Sequence, residues 1–351
     1  MKERKKTLSF MLDGKYDFDK EIEKLETQIL ELEEYLLETE LDVPGAEAEL
    51  ARLRKEAERL KKEVYANLTP WQKVLVARHP FRPTFADYLE TMFDEFIELH
   101  GDRRFGDDKA IVCGFATISD DSGEHKVMVV GHEKGRALRE RMERHFGCAH
   151  PEGYRKALAK MQLASRFGLP ILTFIDTPGA FPGIGAEERG QAFAIAENLM
   201  VMSRLEVPIV SVVIGEGGSG GALGIGVCDR LLILENSYYS VISPEGCAAI
   251  LWRGEENEHL EDAARILRLT ADDLKEFGIA DEVVKEPLGG AHRDHQAAAQ
   301  LLKPVILKHL RELLKLPKEK LLEQRYAKYR KIGRFLGKVQ NARGECGAGD
   351  S

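Results

Sequence analysis

The chain is poor in the features that mark secreted, membrane-spanning or redox proteins. Its five cysteines, at 113, 148, 228, 247 and 346, never occur as C-x-x-C, which excludes a zinc ribbon and a thioredoxin-type motif. An odd, widely spaced set of thiols predicts free, mostly buried cysteines in a reducing compartment, and the chain reads as cytoplasmic. No apolar run approaches the roughly 20 residues of a membrane span. The basic start Met1-Lys-Glu-Arg-Lys-Lys6 leads into no apolar segment of the kind a secretory signal needs. An excess of positive charge is missing as well. The net charge is −8, which argues against general nucleic-acid binding. What is present is a chain of 351 residues, 43% hydrophobic and 31% charged. That is enough for one large domain with an accessory element, or for two modest domains.

The accessory element comes first. After a basic tail, residues 1–16, the segment 17–68 reads as a helical hairpin arm. Ile22, Leu25, Ile29, Leu32 and Leu36 step by three and four, as do Leu50, Leu53, Ala57, Leu60 and Val64. Asp42-Val-Pro-Gly45 marks the reversal. A narrow seam of this kind predicts a structural or oligomeric role. Phe85–His100 carries a helical apolar pattern, and Ala110–Ile118 and Lys126–Val130 read as a strand pair turning at Ser119–Gly123. From residue 152 helices and strands alternate. Pro170–Ile175 and Pro208–Ile214 are continuous apolar runs, as expected of strands buried on both faces of a mainly parallel sheet, and the whole is a layered α/β core. Residues 317–351 form a basic tail, expected to be partly disordered. Its run of Arg325, Lys328, Arg330, Lys331 and Arg334 suits a solvated helix face or a docking surface.

Two glycine-rich turns stand out, Asp176-Thr-Pro-Gly-Ala-Phe-Pro-Gly183 and Gly215-Glu-Gly-Gly-Ser-Gly-Gly-Ala222. Each follows an apolar strand and opens a helix, so each gathers backbone N–H groups at a positive helix end. That chemistry stabilises a developing negative oxygen without a side chain. The second turn also matches G-x-G-x-x-G, with Glu235 placed for a ribose contact. It fails the P-loop pattern because Gly221 stands where lysine is needed. It matches G-x-S-x-G as well, which would make Ser219 a nucleophile if His259 or His292 and Asp229 or Asp262 completed a triad. His132-Glu-Lys134-Gly-Arg136 reads as a polar loop or an anion contact.

Taken together these residues resemble one family. Phe174–Gln191, Val213–Leu223 and Tyr239–Cys247 are similar to signatures of the α subunit of bacterial acetyl-CoA carboxylase carboxyltransferase. So are Ala77–Pro80, Gly101–Arg103, Asp107–Ile111, Pro151–Ala157 and Glu286–Arg293. The likeness runs in order from about residue 17 to 316. It implies a crotonase-like fold of ββα units in a spiral over 69–316, preceded by the helical arm. It implies an α2β2 assembly whose β subunit holds the zinc and most of the acetyl-CoA site, with no metal in this chain. Further partners are the biotin carboxyl carrier protein and biotin carboxylase. The implied reaction carries the carboxyl group of carboxybiotin to acetyl-CoA, giving malonyl-CoA for fatty acid synthesis; another acyl-CoA acceptor, or a Ser219 hydrolase, are the alternatives. By motif position Gly220 and Gly221 supply the backbone oxyanion site for biotin. Gly179, Ala180, Gly218, Ser219 and Ala222 line the pocket, and Ser219 becomes a turn residue.

Overall fold

A computed structural model describes residues 14–39 and 45–333, and the backbone of two-residue strands at 339–340 and 346–347. Most of the basic start and of the final glycine-rich segment lie outside the described residues, as does the Asp42–Pro44 part of the expected reversal. Helices Lys20–Thr39 (α1) and Ala46–Ala66 (α2) form the hairpin arm. Leu50, Leu53 and Ala57 of the expected stripe are buried. Arg293 ties the arm to the body, donating to Asp19 at 2.8 Å, to Glu26 at 3.0 Å and to the Tyr65 hydroxyl at 2.8 Å.

Next come Pro70–Ala77 (α3), opened by a Thr69–Gln72 capping box, and Phe85–Met92 (α4). The helix expected over Phe85–His100 stops at Met92. The chain turns extended at Phe93, and Glu95–Glu98 becomes edge strand β1, paired antiparallel with Ile111–Asp120 (β2). The partner strand overrides the helical spacing here, because β2 offers a free edge that residues 95–98 can cover. The approach is close: a Cβ on Gly114 would fall 2.2 Å from the Ile97 carbonyl oxygen. β2 and Gly123–His132 (β3) form the expected hairpin.

After Leu138–Glu143 (α5) and Pro151–Arg166 (α6) the core alternates: Ile171–Thr177 (β4), Ile184–Glu188 (α7), Gln191–Met202 (α8), Ile209–Gly218 (β5), Ser219–Leu223 (α9), Arg230–Leu234 (β6), Tyr238–Ser240 (β7) and Pro244–Leu251 (α10). Helices α7 and α8 are separated at Gly190, whose φ of 83° is left-handed. Leu260–Leu267 (α11), Ala271–Glu276 (α12), Glu282–Val284 (β8), His295–Leu314 (α13) and Lys318–Arg330 (α14) follow.

The sheet runs β1-β2-β3-β4-β5-β6-β8, with β7 also on β5, and every pairing from β3 to β8 is parallel. Alternate residues of the central strands face opposite layers. Ile171 and Ile175, Ile209 and Val213, and Leu231 and Ile233 pack with Tyr154, Ala157 and Met161 of α6. Leu172 and Phe174, Val210 and Val212, and Leu232 and Leu234 pack with α4 and α13. Burial on both faces is why these strands read as unbroken apolar runs.

The segment after 316 begins with ordered structure. In α14 the fully buried Arg325 guanidinium grips both Asp229 oxygens at 2.8 Å and donates to the carbonyls of Met202, Leu205 and Val207. Arg325 is therefore a clamp, not part of a solvated basic face. Among the described residues no helix is long and apolar enough to cross a membrane.

Candidate active site at the paired glycine turns

β4 and β5 are parallel neighbours, so the turns that follow them emerge side by side at one sheet edge, where α/β folds bind ligands. The register shifts after Ile175 and brings Thr177 opposite Gly217. The first turn is braced by the Thr177 hydroxyl, which donates to the Gly179 carbonyl at 2.7 Å and accepts the Gly179 N–H at 3.1 Å. The second turn leans directly on it. A Cβ on Gly218 would lie 2.1 Å from the Pro178 carbonyl oxygen, and one on Gly221 would lie 2.5 Å from Ala180 N. Glycine at 218 and 221 thus allows backbone to touch backbone. Gly179 and Gly220 differ: a Cβ on Gly179 would meet nothing within 4 Å, and one on Gly220 only Ile195 Cδ1 at 3.7 Å. Those two open toward space that a ligand can use.

Ser219, Gly220 and Gly221 are the first residues of α9. Their N–H groups have no acceptor inside the helix. The Ala180 N–H has no hydrogen-bond partner among the described residues. Gly221 and Ala222 are buried, Gly220 is half-buried and Ser219 is exposed. Ser219 has a φ of 49°, an uncommon left-handed value for a residue other than glycine. The structure thus brings Gly179, Ala180, Gly218, Ser219, Gly220, Gly221 and Ala222 into one place.

It does not bring the triad candidates there. Asp229 is taken up by Arg325. His259 stacks on Trp252 and contacts Asp262, while the His292 ring lies tilted against His79, 4.0 Å between centroids, beside the arm. The Ser219 hydroxyl makes no hydrogen bond among the described residues. Glu235 pairs with Lys285, away from any ribose role.

Beneath the turns lies a charge network that the sequence did not announce. The largely buried Lys134 ammonium sits 2.6 Å from Asp176, the first residue of the first turn, and 2.5 Å from Glu216 of the second. The Glu216 N–H donates to Asp176 at 2.8 Å. Gly215 must lack a side chain because its Cβ would fall 2.4 Å from that carboxylate. On its far side Glu216 accepts from Arg78 at 2.6 Å and from the Tyr238 hydroxyl at 2.7 Å. Arg78 reaches on to Glu245 of α10.

Burial works against the Glu216 charge, but Lys134 and Arg78 outweigh it and hold the carboxyl down at about 2. For Asp176 burial dominates and pushes the carboxyl upward against the pull of Lys134. One lysine therefore staples both turns, and a cavity of about 140 Å³ opens beside it between Arg78, Lys134, Arg141, Asp176, Pro178 and Glu216. The His132–Arg136 cluster is thus no loose anion loop: Lys134 is spent internally, and Arg136 pairs with Asp87. The signal was in the sequence as one lysine and two acids, but nothing in their spacing joined them.

The fold matches solved carboxyltransferases. A transcarboxylase 12S structure superposes with a TM-score of 0.53 at 19% identity, over 68% of this chain and 44% of that one. The β subunit of geranyl-CoA carboxylase from P. aeruginosa gives 0.50 at 20% identity, over 71% of this chain and 46% of that one. The chain spans less than half the length of either. The fold is therefore the crotonase-like α/β fold, built around paired backbone turns. The family model described as acetyl co-enzyme A carboxylase carboxyltransferase-like matches residues 15–333. The chain is 58% identical over 274 residues to the acetyl-coenzyme A carboxylase carboxyl transferase subunit alpha of Rhodopirellula baltica, covering 78% of this chain and 84% of that one. Against the protein of the same name from Thermus thermophilus it is 57% identical over 273 residues, covering 78% and 86%. The chain belongs to the acetyl-CoA carboxylase carboxyltransferase family. The match to residue 333 takes in α14, beyond the 316 at which the motif resemblance ended.

Proposed function

We propose that this chain is the α subunit of an acetyl-CoA carboxylase carboxyltransferase, transferring the carboxyl group of carboxybiotin to acetyl-CoA and forming malonyl-CoA. The observation that carries the reading is the pair of interlocked backbone turns, open at Gly179 and Gly220; among the described residues no acid or histidine is joined to Ser219. The residues fit a biotin ring. The two glycines without side chains form a cradle, and N–H groups of α9 stand beside it. Carboxybiotin, when bound, supplies the carboxyl group. The N–H groups of Gly220 and Gly221 would hold the ureido oxygen of the bound group and stabilise negative charge there. Gly179 and Ala180 wall the pocket, with Gly218, Ser219 and Ala222 shaping the turn. Removing one donor of this type elsewhere costs roughly 2.7–4 kcal/mol. Lys134 holds the two turns in register by bridging Asp176 and Glu216.

The reading extends to a β subunit in an α2β2 complex in the cytoplasm, with zinc and most of the acetyl-CoA site on β, and to a carrier protein and biotin carboxylase. Support for a protein partner near the site comes from apolar side chains left in water on the surrounding helices. Phe193 is 70% exposed, Ile184 79% and Ile250 71%, a display that monomer surfaces seldom carry without a partner. The test is co-expression with a zinc-ribbon β subunit and assay of biotin-dependent malonyl-CoA decarboxylation. The complex is expected to be active and the isolated chain inactive. Equal activity without β, or none with it, refutes the reading.

A further inference from the structure

We propose that Asp108, His145 and His150 form a site for a zinc-class divalent transition-metal ion, behind the first glycine turn. The donor atoms of the three side chains lie within 4.8 Å of one another. They come from separate places: Asp108 precedes β2, His145 starts a tight turn after α5, and His150 caps α6. The Asp108 carboxylate is aimed by two backbone amides, Ala110 N–H at 2.9 Å on one oxygen and His150 N–H at 2.6 Å on the other. Fixing of this kind is what positions ligating carboxylates. The His150 Nδ1 is 4.0 Å from that second oxygen. The two imidazole rings meet edge to face at 4.4 Å, and the His150 ring stacks on Phe181 at 4.1 Å.

Two further observations point to a ligand. His145 Nδ1 is buried with no hydrogen-bond partner among the described residues, although a buried ring nitrogen ordinarily has one. The chain also holds His145, Phe146 and Gly147 in the left-handed region in succession, at φ of 48°, 55° and 83°. Left-handed strain at non-glycine residues clusters at ligand clamps. Two imidazoles and one carboxylate suit zinc, cobalt or nickel over calcium or magnesium, and three protein ligands leave positions for water. Ligands at about 2.0–2.1 Å in a tetrahedral site stand roughly 3.4 Å apart. With donor atoms no more than 4.8 Å apart, the three groups close on an ion by a contraction of at most about 1.4 Å. Cys148, between the histidines, is not in the group.

The ion would lock the turn that supports the proposed oxyanion site. The Ala149 carbonyl accepts the Phe181 N–H at 3.0 Å and Gln191 Nε2 at 2.8 Å, and a Cβ on Gly147 would fall 2.9 Å from the Asp176 carbonyl. The experiment takes the full-length chain stripped with a chelator and titrates it with Zn²⁺ by calorimetry and with Co²⁺ by visible absorption. One equivalent is expected to bind saturably and to raise Tm. His145→Asn, which tolerates the left-handed backbone, and His150→Ala should each weaken binding at least about tenfold and abolish the Tm rise, with unchanged circular dichroism. Cys148→Ser should leave binding intact. No saturable binding to the wild-type chain, equal affinity in His145→Asn, or loss of binding in Cys148→Ser overturns the assignment.

Discussion

Gly221→Ala is the sharpest perturbation of the interlocked turns. The added Cβ falls 2.5 Å from both Ala180 N and Gly179 C, whereas ordinary contact begins at 3.4 Å. The first turn must therefore withdraw by roughly 0.9 Å, because both neighbours are backbone and no side-chain rotation relieves them. Overpacking of this size costs about 1–3 kcal/mol. Alanine's better helix propensity returns up to about 1 kcal/mol, which leaves a net loss of about 0–2 kcal/mol. The effect on turnover is larger, since a misplacement of about 1 Å at a reacting centre costs on the order of 10²-fold. Stability is read from urea unfolding of the full chain, and turnover from biotin-dependent malonyl-CoA decarboxylation by the complex with a β subunit. Gly220→Ala is the stability control: its Cβ meets only Ile195 Cδ1 at 3.7 Å, so unfolding should be unchanged or slightly harder. Turnover by Gly221→Ala within threefold of wild type, or equal destabilisation by Gly220→Ala, refutes the claim that these turns are held by backbone contact.

Three more predictions follow from the same geometry. Ser219→Ala should keep substantial transferase activity, because the hydroxyl has no partner among the described residues; near-total loss together with a trappable acyl-enzyme revives the hydrolase reading. Arg325→Met should destabilise the chain by about 3–5 kcal/mol in urea unfolding, since it strands the buried Asp229 carboxylate. Arg325→Lys should recover little, because an ammonium cannot reproduce the five-bond grip; full stability in either variant removes α14 from the folded unit. Glu216 has its carboxyl held below the ordinary 4.5, at about 2, by Lys134 and Arg78 against the cost of burial. Its contribution to stability is therefore present above about pH 4.5 and lost as pH falls toward 2. Glu216→Gln should flatten that acid limb in urea titrations at stepped pH, and an unchanged limb would place the acid sensitivity elsewhere.

The legibility of the site varied with the kind of contact. The stripe through Leu50, Leu53 and Ala57, the continuous runs at Pro170–Ile175 and Pro208–Ile214, and both glycine turns were readable because each depends on neighbours close in sequence. Phe85–His100 misled because its apolar spacing is helical throughout, while residues 95–98 answer to the exposed edge of β2. Arg325 read as one cation in a basic run, although its partners, Asp229 and the carbonyls near 202–207, lie far back in the chain.

The sequence by itself determined the layered α/β class, the arm, the position of the two turns and the family, since these rest on local periodicity, turn chemistry and long motifs in order. Only the tertiary structure decided what joins them. It showed that Gly218 and Gly221 are glycine because another backbone lies against them, while Gly179 and Gly220 are open. It placed Lys134 between Asp176 and Glu216, and it scattered Asp229, His259 and His292 away from Ser219. Contacts between residues distant in sequence are set by how strands register and layers pack, and composition and spacing carry no record of that distance.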